Sequence, residues 1–187
     1  MTGIKRLRPE TTAVVVVDIQ DKLLAKIPTA DTLVRNAGFV LDVAALLEIP
    51  IRATEQYPKG LSPTTPEIAR RIPQALSKTT FSCCGAGTFL EELEMLQRPN
   101  VVLVGMETHV CVMQTALDLL EAGLHVFLPA DALAARFGTD HDLALRRMET
   151  AGAVVTSAEA VAFDWVRDSA HPGFKAVSKL VIDRAGK

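Results

Sequence analysis

The sequence predicts an α/β fold, a three-layer α/β/α sandwich around a mostly parallel, Rossmann-like sheet of about six strands. Three observations carry that expectation. Residues 12–19 (TAVVVVDI) form an unbroken β-branched run, the pattern of a strand covered on both faces, as in a parallel sheet. Short apolar runs then alternate with stretches of helical spacing to the end of the chain, which implies parallel strands joined by right-handed helical crossovers. The 187 residues are enough for a substantial core, and no repeat, low-complexity tract or linker divides them, so residues 1–187 read as a single domain.

Residues 1–11 read as a lead-in in which Pro9 bars regular structure. The strand at 12–19 ends at Asp18, an acid directly after four valines. Residues 30–48 read as a helix, with Leu33, Ala37, Val40, Leu41, Ala44 and Leu47 on one face and Thr29 or Asp31 as cap. Pro50 stops it, and 51–54 is a second strand. Residues 55–66 (EQYPKGLSPTTP) read as a loop without helix or strand, followed by a short helix over 66–72 that begins at a proline. An extended segment at 74–80 carries Lys78, and 81–87 (FSCCGAG) is a turn before a helix over 88–97. Residues 101–104 are a strand that Gly105 ends. Thr108 is the expected cap of the next helix, which puts Cys111 in the first turn. Then come a strand at 125–129, a loop at 131–138, a helix at 139–152, a strand at 153–156, a helix opened by Ser157 through 166, and a final helix from Pro172 to about 182.

Composition sets limits on function. At 49% hydrophobic and 22% charged, the chain is ordinary for a globular protein. A net charge of −2 gives no basic field of the kind that attracts nucleic acid. The apolar run at 40–47 is interrupted by Asp42, so no membrane span is expected. The start, MTGIKRLRPE, has basic residues with no apolar segment behind them and does not read as a signal peptide. Three cysteines, of which Cys83 and Cys84 are adjacent, do not make a disulfide framework; a reduced, cytoplasmic protein is expected.

Three residues stand where chemistry is feasible. Cys111 at a helix start meets unpaired N–H groups and the positive end of the macrodipole, which should ease its ionisation and could hold an oxyanion. It could equally be a small buried apolar residue. Asp18, if buried, requires a cationic or hydrogen-bonding partner, unless it simply caps the turn at 20–24. Lys78 has no charged neighbour from 74 to 90 and could be a solvated surface lysine. Parallel sheets place ligands off the carboxyl ends of the strands, and Asp18 and Cys111 point to that same edge. Together an acid, an amine and a thiol could make a site for covalent catalysis without histidine.

The Asp closing a Val-rich first strand, the Lys of K-x-x-F-S at 78–82 and GMETHVCV at 105–112 resemble, in this order, the isochorismatase-like cysteine hydrolases. The resemblance spans residues 12–179. It implies Asp18 as general base, Lys78 as its positioning cation and Cys111 as nucleophile toward an amide or related carbon, through a thioester-type acyl intermediate. It also implies a non-proline cis peptide at Met106–Glu107 and an oxyanion hole from the N–H groups of Glu107 and Cys111. Tyr57 and Phe81 are candidate walls of a substrate pocket, or core residues; Gln20 and Thr108 are the other candidate substrate contacts. The nicotinamidase branch carries an Asp-x-His metal site after its second strand, whereas residues 54–66 here hold neither Asp nor His. No catalytic metal and no cofactor are therefore expected. Isochorismatases proper cleave a vinyl ether without relying on the cysteine, so Cys111 argues for carbon–nitrogen or acyl hydrolysis. A small-molecule substrate and a homo-oligomer are expected from the family, with no nucleic-acid or membrane partner. His109 and Trp165 read as surface, subunit-contact or core residues, and Cys83 and Cys84 as packing residues.

Two alternatives stand beside the hydrolase. One is a binding or assembly protein on the same scaffold, its site idle. The other, a nucleotide binder, is disfavoured because VVVVDIQDK contains no glycine-rich phosphate loop.

Overall fold

The computed structural model describes residues 5–186, so the first four residues of the expected lead-in lie outside it. A 3-10 turn at Pro9–Thr11 leads into β1 (Thr12–Val17), in which every residue is buried. Val14 and Val16 face one core, while Ala13, Val15 and Val17 face the other. This alternation is how a run of β-branched residues is accommodated between two helical layers. Each fully buried valine contributes about 1.5–3 kcal/mol.

The chain continues through α1 (Asp21–Leu24) and α2 (Ala30–Leu46), then β2 (Ile51–Gln56), α3 (Pro58–Leu61), α4 (Pro66–Ala69) and β3 (Leu76–Lys78). The expected loop at 55–66 therefore holds two more strand residues and a helical turn. Two of its three prolines, Pro58 and Pro66, begin α3 and α4 rather than breaking structure. A 3-10 turn at Cys83–Gly85 precedes α5 (Phe89–Met95) and β4 (Asn100–Met106). After a turn at Thr108–Val112 come α6 (Met113–Glu121), β5 (His125–Pro129), β6 (Leu133–Ala134), α7 (Gly138–Thr150), β7 (Val154–Thr156), α8 (Ala158–Val166) and α9 (Phe174–Ala185). Ser157 caps α8 by accepting from Ala160 N–H.

The sheet has seven strands rather than about six, in the order β3-β2-β1-β4-β5-β7, with β6 pairing β4. The additional strand, β6, lies in the expected loop at 131–138 and is too short to show a period. All strand pairs named in the sheet are parallel. Apolar residues of α2, α8 and α9 fill one core, and those of α5, α6 and α7 the other.

The order reverses between β1 and β4: the chain winds outward from β1 to β3, then returns to β4 on the other side. In such sheets ligands bind off the carboxyl ends of the strands at this switch. Gly105 does not end β4 as expected; the strand passes through it, with φ of 132°. A Cβ there would lie 2.1 Å from the Val17 carbonyl oxygen, so only glycine lets β4 lie this close to β1 beside Asp18.

Candidate active site

Three strand ends and one turn meet at this switch. Asp18 follows β1 with a positive φ of 51°, which turns its side chain off the strand line. Lys78 closes β3, and its ammonium donates to Asp18 Oδ2 at 2.7 Å. Both side chains are fully shielded from solvent. Lys78 also donates to Gln56 Oε1 at 2.7 Å, to the Phe81 carbonyl at 2.9 Å and to the Thr80 carbonyl at 3.2 Å. Thr54 donates from Oγ1 to Asp18 Oδ1 at 2.9 Å. A buried ion pair is tolerable only when the remaining lone pairs and protons are bonded, and here they are.

Cys111 is 6% exposed and stands against this pair. Its thiol is pushed up to about 12, first by burial and then by the Asp18 carboxylate; the Lys78 ammonium pulls the other way. The expected easing of ionisation by a helix start is therefore corrected. The turn at Thr108–Val112 is wound as a π-helix, and Val110 and Val112 both return their N–H groups to the Glu107 carbonyl. Burial and a facing carboxylate outweigh what remains of the dipole.

Thr108 is not a cap. It is fully buried, and its hydroxyl shares a 2.9 Å hydrogen bond with His141 Nδ1. The Met106–Glu107 peptide bond is cis. The Glu107 carboxylate accepts from the N–H and Nε of Arg136, both at 3.0 Å, pinning the segment after β6. Gln20 is fully buried and engaged: its Oε1 accepts from Gln56 N–H at 2.8 Å, and its Nε2 donates to the carbonyls of Gln56 and Ser62. A substrate contact there would break a bond that holds the 56–62 segment. Tyr57 and Phe81 are 55% and 52% exposed, not core residues. Both are tied to Lys78, Tyr57 by donating its N–H to the Lys78 carbonyl and Phe81 by accepting from the ammonium. They stand at the surface beside Lys78.

Four residues join this set to which sequence reasoning gave no part in it. Thr54 and Gln56 bond the pair directly, and parallel register sets Thr54 beside Val17. A polar residue at the carboxyl end of the neighbouring strand was the available signal. Cys83 Sγ lies 3.2 Å from Thr54 Oγ1, and Cys83 N–H donates to Thr115, whose hydroxyl donates to the Cys111 carbonyl. Cys83 is thus more than packing, while Cys84 stays half-buried outside the network. His109 stands 3.7 Å from Asp140 and is not among the groups acting on Cys111. Trp165 is core, as expected of that helix. Among the described residues no three His, Cys, Asp or Glu side chains converge as a metal-ligand set, and no helix is long and apolar enough to cross a membrane.

Comparison with known proteins shows what the whole chain is similar to. The isochorismatase domain matches residues 12–160. The mouse isochorismatase domain-containing protein 2A is 40% identical over 180 residues, covering 96% of this chain and 86% of its own. Among solved structures, the MAR1 ribonuclease of Caenorhabditis elegans superposes with a TM-score of 0.90 at 40% identity, over 95% of this chain and 93% of that one. YcaC of Pseudomonas aeruginosa, solved with hexane-2,5-diol and covalent acrylamide, gives 0.89 at 26% identity over 100% and 96%. YcaC of Escherichia coli, described as an octameric hydrolase of unknown specificity, gives 0.89 at 25% identity over the same shares.

Proposed function

The chain belongs to the isochorismatase-like family, and from that premise we propose that residues 1–187 act as one metal-independent cysteine hydrolase domain cleaving a small amide or acyl substrate. The observation that carries this is the fully shielded Asp18–Lys78 pair, 2.7 Å apart, set against the Cys111 thiol. Isolated burial of an acid and an amine is unfavourable; beside a thiol it supplies a base held in place. The Cys111 proton passes to Asp18 as sulfur attacks the carbonyl carbon. The N–H groups of Glu107 and Cys111 receive the developing oxyanion. Asp18 returns the proton to the leaving amine, and a thioester remains on Cys111. Asp18 then takes a proton from water, hydroxide attacks the thioester, and the acid leaves as the thiol is restored. Lys78 holds the carboxylate throughout, and Tyr57 and Phe81 wall the acyl group.

The covalent acrylamide on the Pseudomonas relative supports a reactive nucleophile in a protein of this fold, and the octameric Escherichia coli relative supports a homo-oligomer. The ribonuclease name belongs to the nematode relative; the net charge of −2 here gives little attraction for a polyphosphate chain. Incubation with acrylamide at neutral pH is expected to add one acrylamide mass to Cys111 and none to the Cys111→Ala protein, with Asp18→Asn strongly slowed. Equal labelling of Cys83 and Cys111 would overturn the assignment.

A second reading, the idle binding or assembly protein, is favoured by one observation: the thiol is held neutral and only 6% exposed. It predicts an oligomer that turns over none of a panel of small amides and esters.

A further inference from the structure

Cys83 is a second buried thiol within the site, and the mechanism above gives it no task. Its partners suggest one. The single proton of the Thr54 hydroxyl is directed at Asp18 Oδ1, so the 3.2 Å contact between Thr54 Oγ1 and Cys83 Sγ has Cys83 as donor in the resting site. Asp18 then receives two donors, Thr54 on one oxygen and Lys78 on the other. That arrangement suits a carboxylate. Once Asp18 takes the Cys111 proton, the acid has a proton of its own to place. Oδ2 faces an ammonium, which leaves the Thr54 side, where a donor already points inward.

We propose that Cys83 and Thr54 form a reversible hydrogen-bond pair that lets Asp18 alternate between base and acid. When Asp18 is ionised, Cys83 donates to Thr54 and Thr54 donates to Asp18. When Asp18 is protonated at Oδ1, it donates to Thr54, and Thr54 rotates its hydroxyl proton onto Cys83 Sγ. No covalent bond to Cys83 forms or breaks; one S–H and two O–H groups turn. The Cys83 thiol stays protonated throughout, in keeping with burial that pushes it up to about 12. The groups facing it are Asp18, Lys78, Thr54 and Thr115, and those facing Cys111 are Asp18, Lys78 and Cys83. Cys83 is thereby a positioning residue, acting on Cys111 through Thr54 and Asp18. Its backbone is fixed independently, by the N–H to Thr115 at 2.9 Å, so the side chain can be changed with its anchor kept.

This inference rests on the proposed role of Asp18 as base, and its test separates the two. The probe is acrylamide, with adducts on Cys111 quantified by fragment-resolved mass spectrometry between pH 6 and pH 10 in the full-length protein. In Cys83→Ala, the rotated Thr54 proton would have no acceptor. Labelling at pH 7 is expected to fall about tenfold, as loss of one buried hydrogen-bond partner implies. The deficit should shrink toward pH 10, as hydroxide begins to replace Asp18. Cys83→Ser, which can donate and accept, is expected to recover labelling to within about threefold of the parent. In a Thr54→Val background, Cys83→Ala should add nothing further, since the pair is already broken. A Cys83→Ala deficit constant over the pH range, unrecovered by serine, or additive with Thr54→Val would assign Cys83 to packing and overturn the proposal. Unchanged labelling in Asp18→Asn would remove the base itself, and the proposal with it. Slowed Asp18→Asn beside unchanged Cys83→Ala would overturn the pair alone.

Discussion

Two carboxylate–cation pairs of this molecule have opposite surroundings. Asp42 on α2 receives Arg71 in a bidentate fork, at 2.7 and 3.0 Å, with the side chains 36% and 20% exposed. Asp18 receives Lys78 at 2.7 Å with both side chains at 0%. Arg71 is held above its ordinary value, chiefly by its hydrogen bonds to Asp42. The Asp42 pair fastens α2 to the segment after α4, and water on its open side screens it. The Asp18 pair has no water to fall back on. Every group around it is bonded to protein, which fixes geometry far more strictly than stability requires. The contrast separates an ion pair that serves the fold from one that the fold accommodates for the sake of a site.

The largest expected effect comes from breaking the buried pair on one side only. Lys78→Met leaves a shielded carboxylate without its cation and should cost about 3–5 kcal/mol, read as a lower urea midpoint at unchanged slope. Acrylamide labelling of Cys111 should be lost with it. Asp18→Leu combined with Lys78→Met removes both charges and should recover most of that stability while labelling stays absent. If the double variant were as unstable as the single, the pair would be a fold element after all. Next in size is Gly105→Ala, where a methyl would meet the Val17 carbonyl at 2.1 Å; separation of β4 from β1 should cost several kcal/mol and disturb Cys111 with it. Arg71→Ala, on the exposed side of the comparison, should cost no more than about 1 kcal/mol and leave labelling intact.

The same contrast explains what the sequence revealed. Fold class was legible because burial on both faces writes a continuous signal: TAVVVV could be little else than a central strand. Asp18, Lys78 and Cys111 were legible as a triplet through their motifs, not through local physics, since each had an ordinary explanation alone. Spacing carries no sign of Thr54, Gln56 and Cys83, whose roles arise from register between β1, β2 and β3 and from a 3-10 turn folded back over them. The state of the thiol is hidden from the sequence for a similar reason. A helix start is local and visible, whereas the carboxylate and the burial that oppose it come from strands far away in the chain.

His141 is the intermediate case, half-buried, with Nδ1 on the fully buried Thr108 hydroxyl. Burial holds its imidazole below the ordinary 6.5, so the folded protein favours the neutral ring more than the unfolded chain does. Its contribution is therefore fully present above pH 6.5 and lost as pH falls toward the lower folded value, because there the unfolded chain binds the extra proton. Replacing it with asparagine, which keeps a polar partner for Thr108 but cannot titrate, should leave a protein whose stability falls less steeply with acid. Urea midpoints of the two proteins measured from pH 8 to pH 5 should converge or cross below pH 6.5, by a smaller margin than any effect above. Parallel curves would mean that the Thr108 contact, rather than proton uptake, governs this corner of the site, and that half-burial already behaves like the exposed pair on α2.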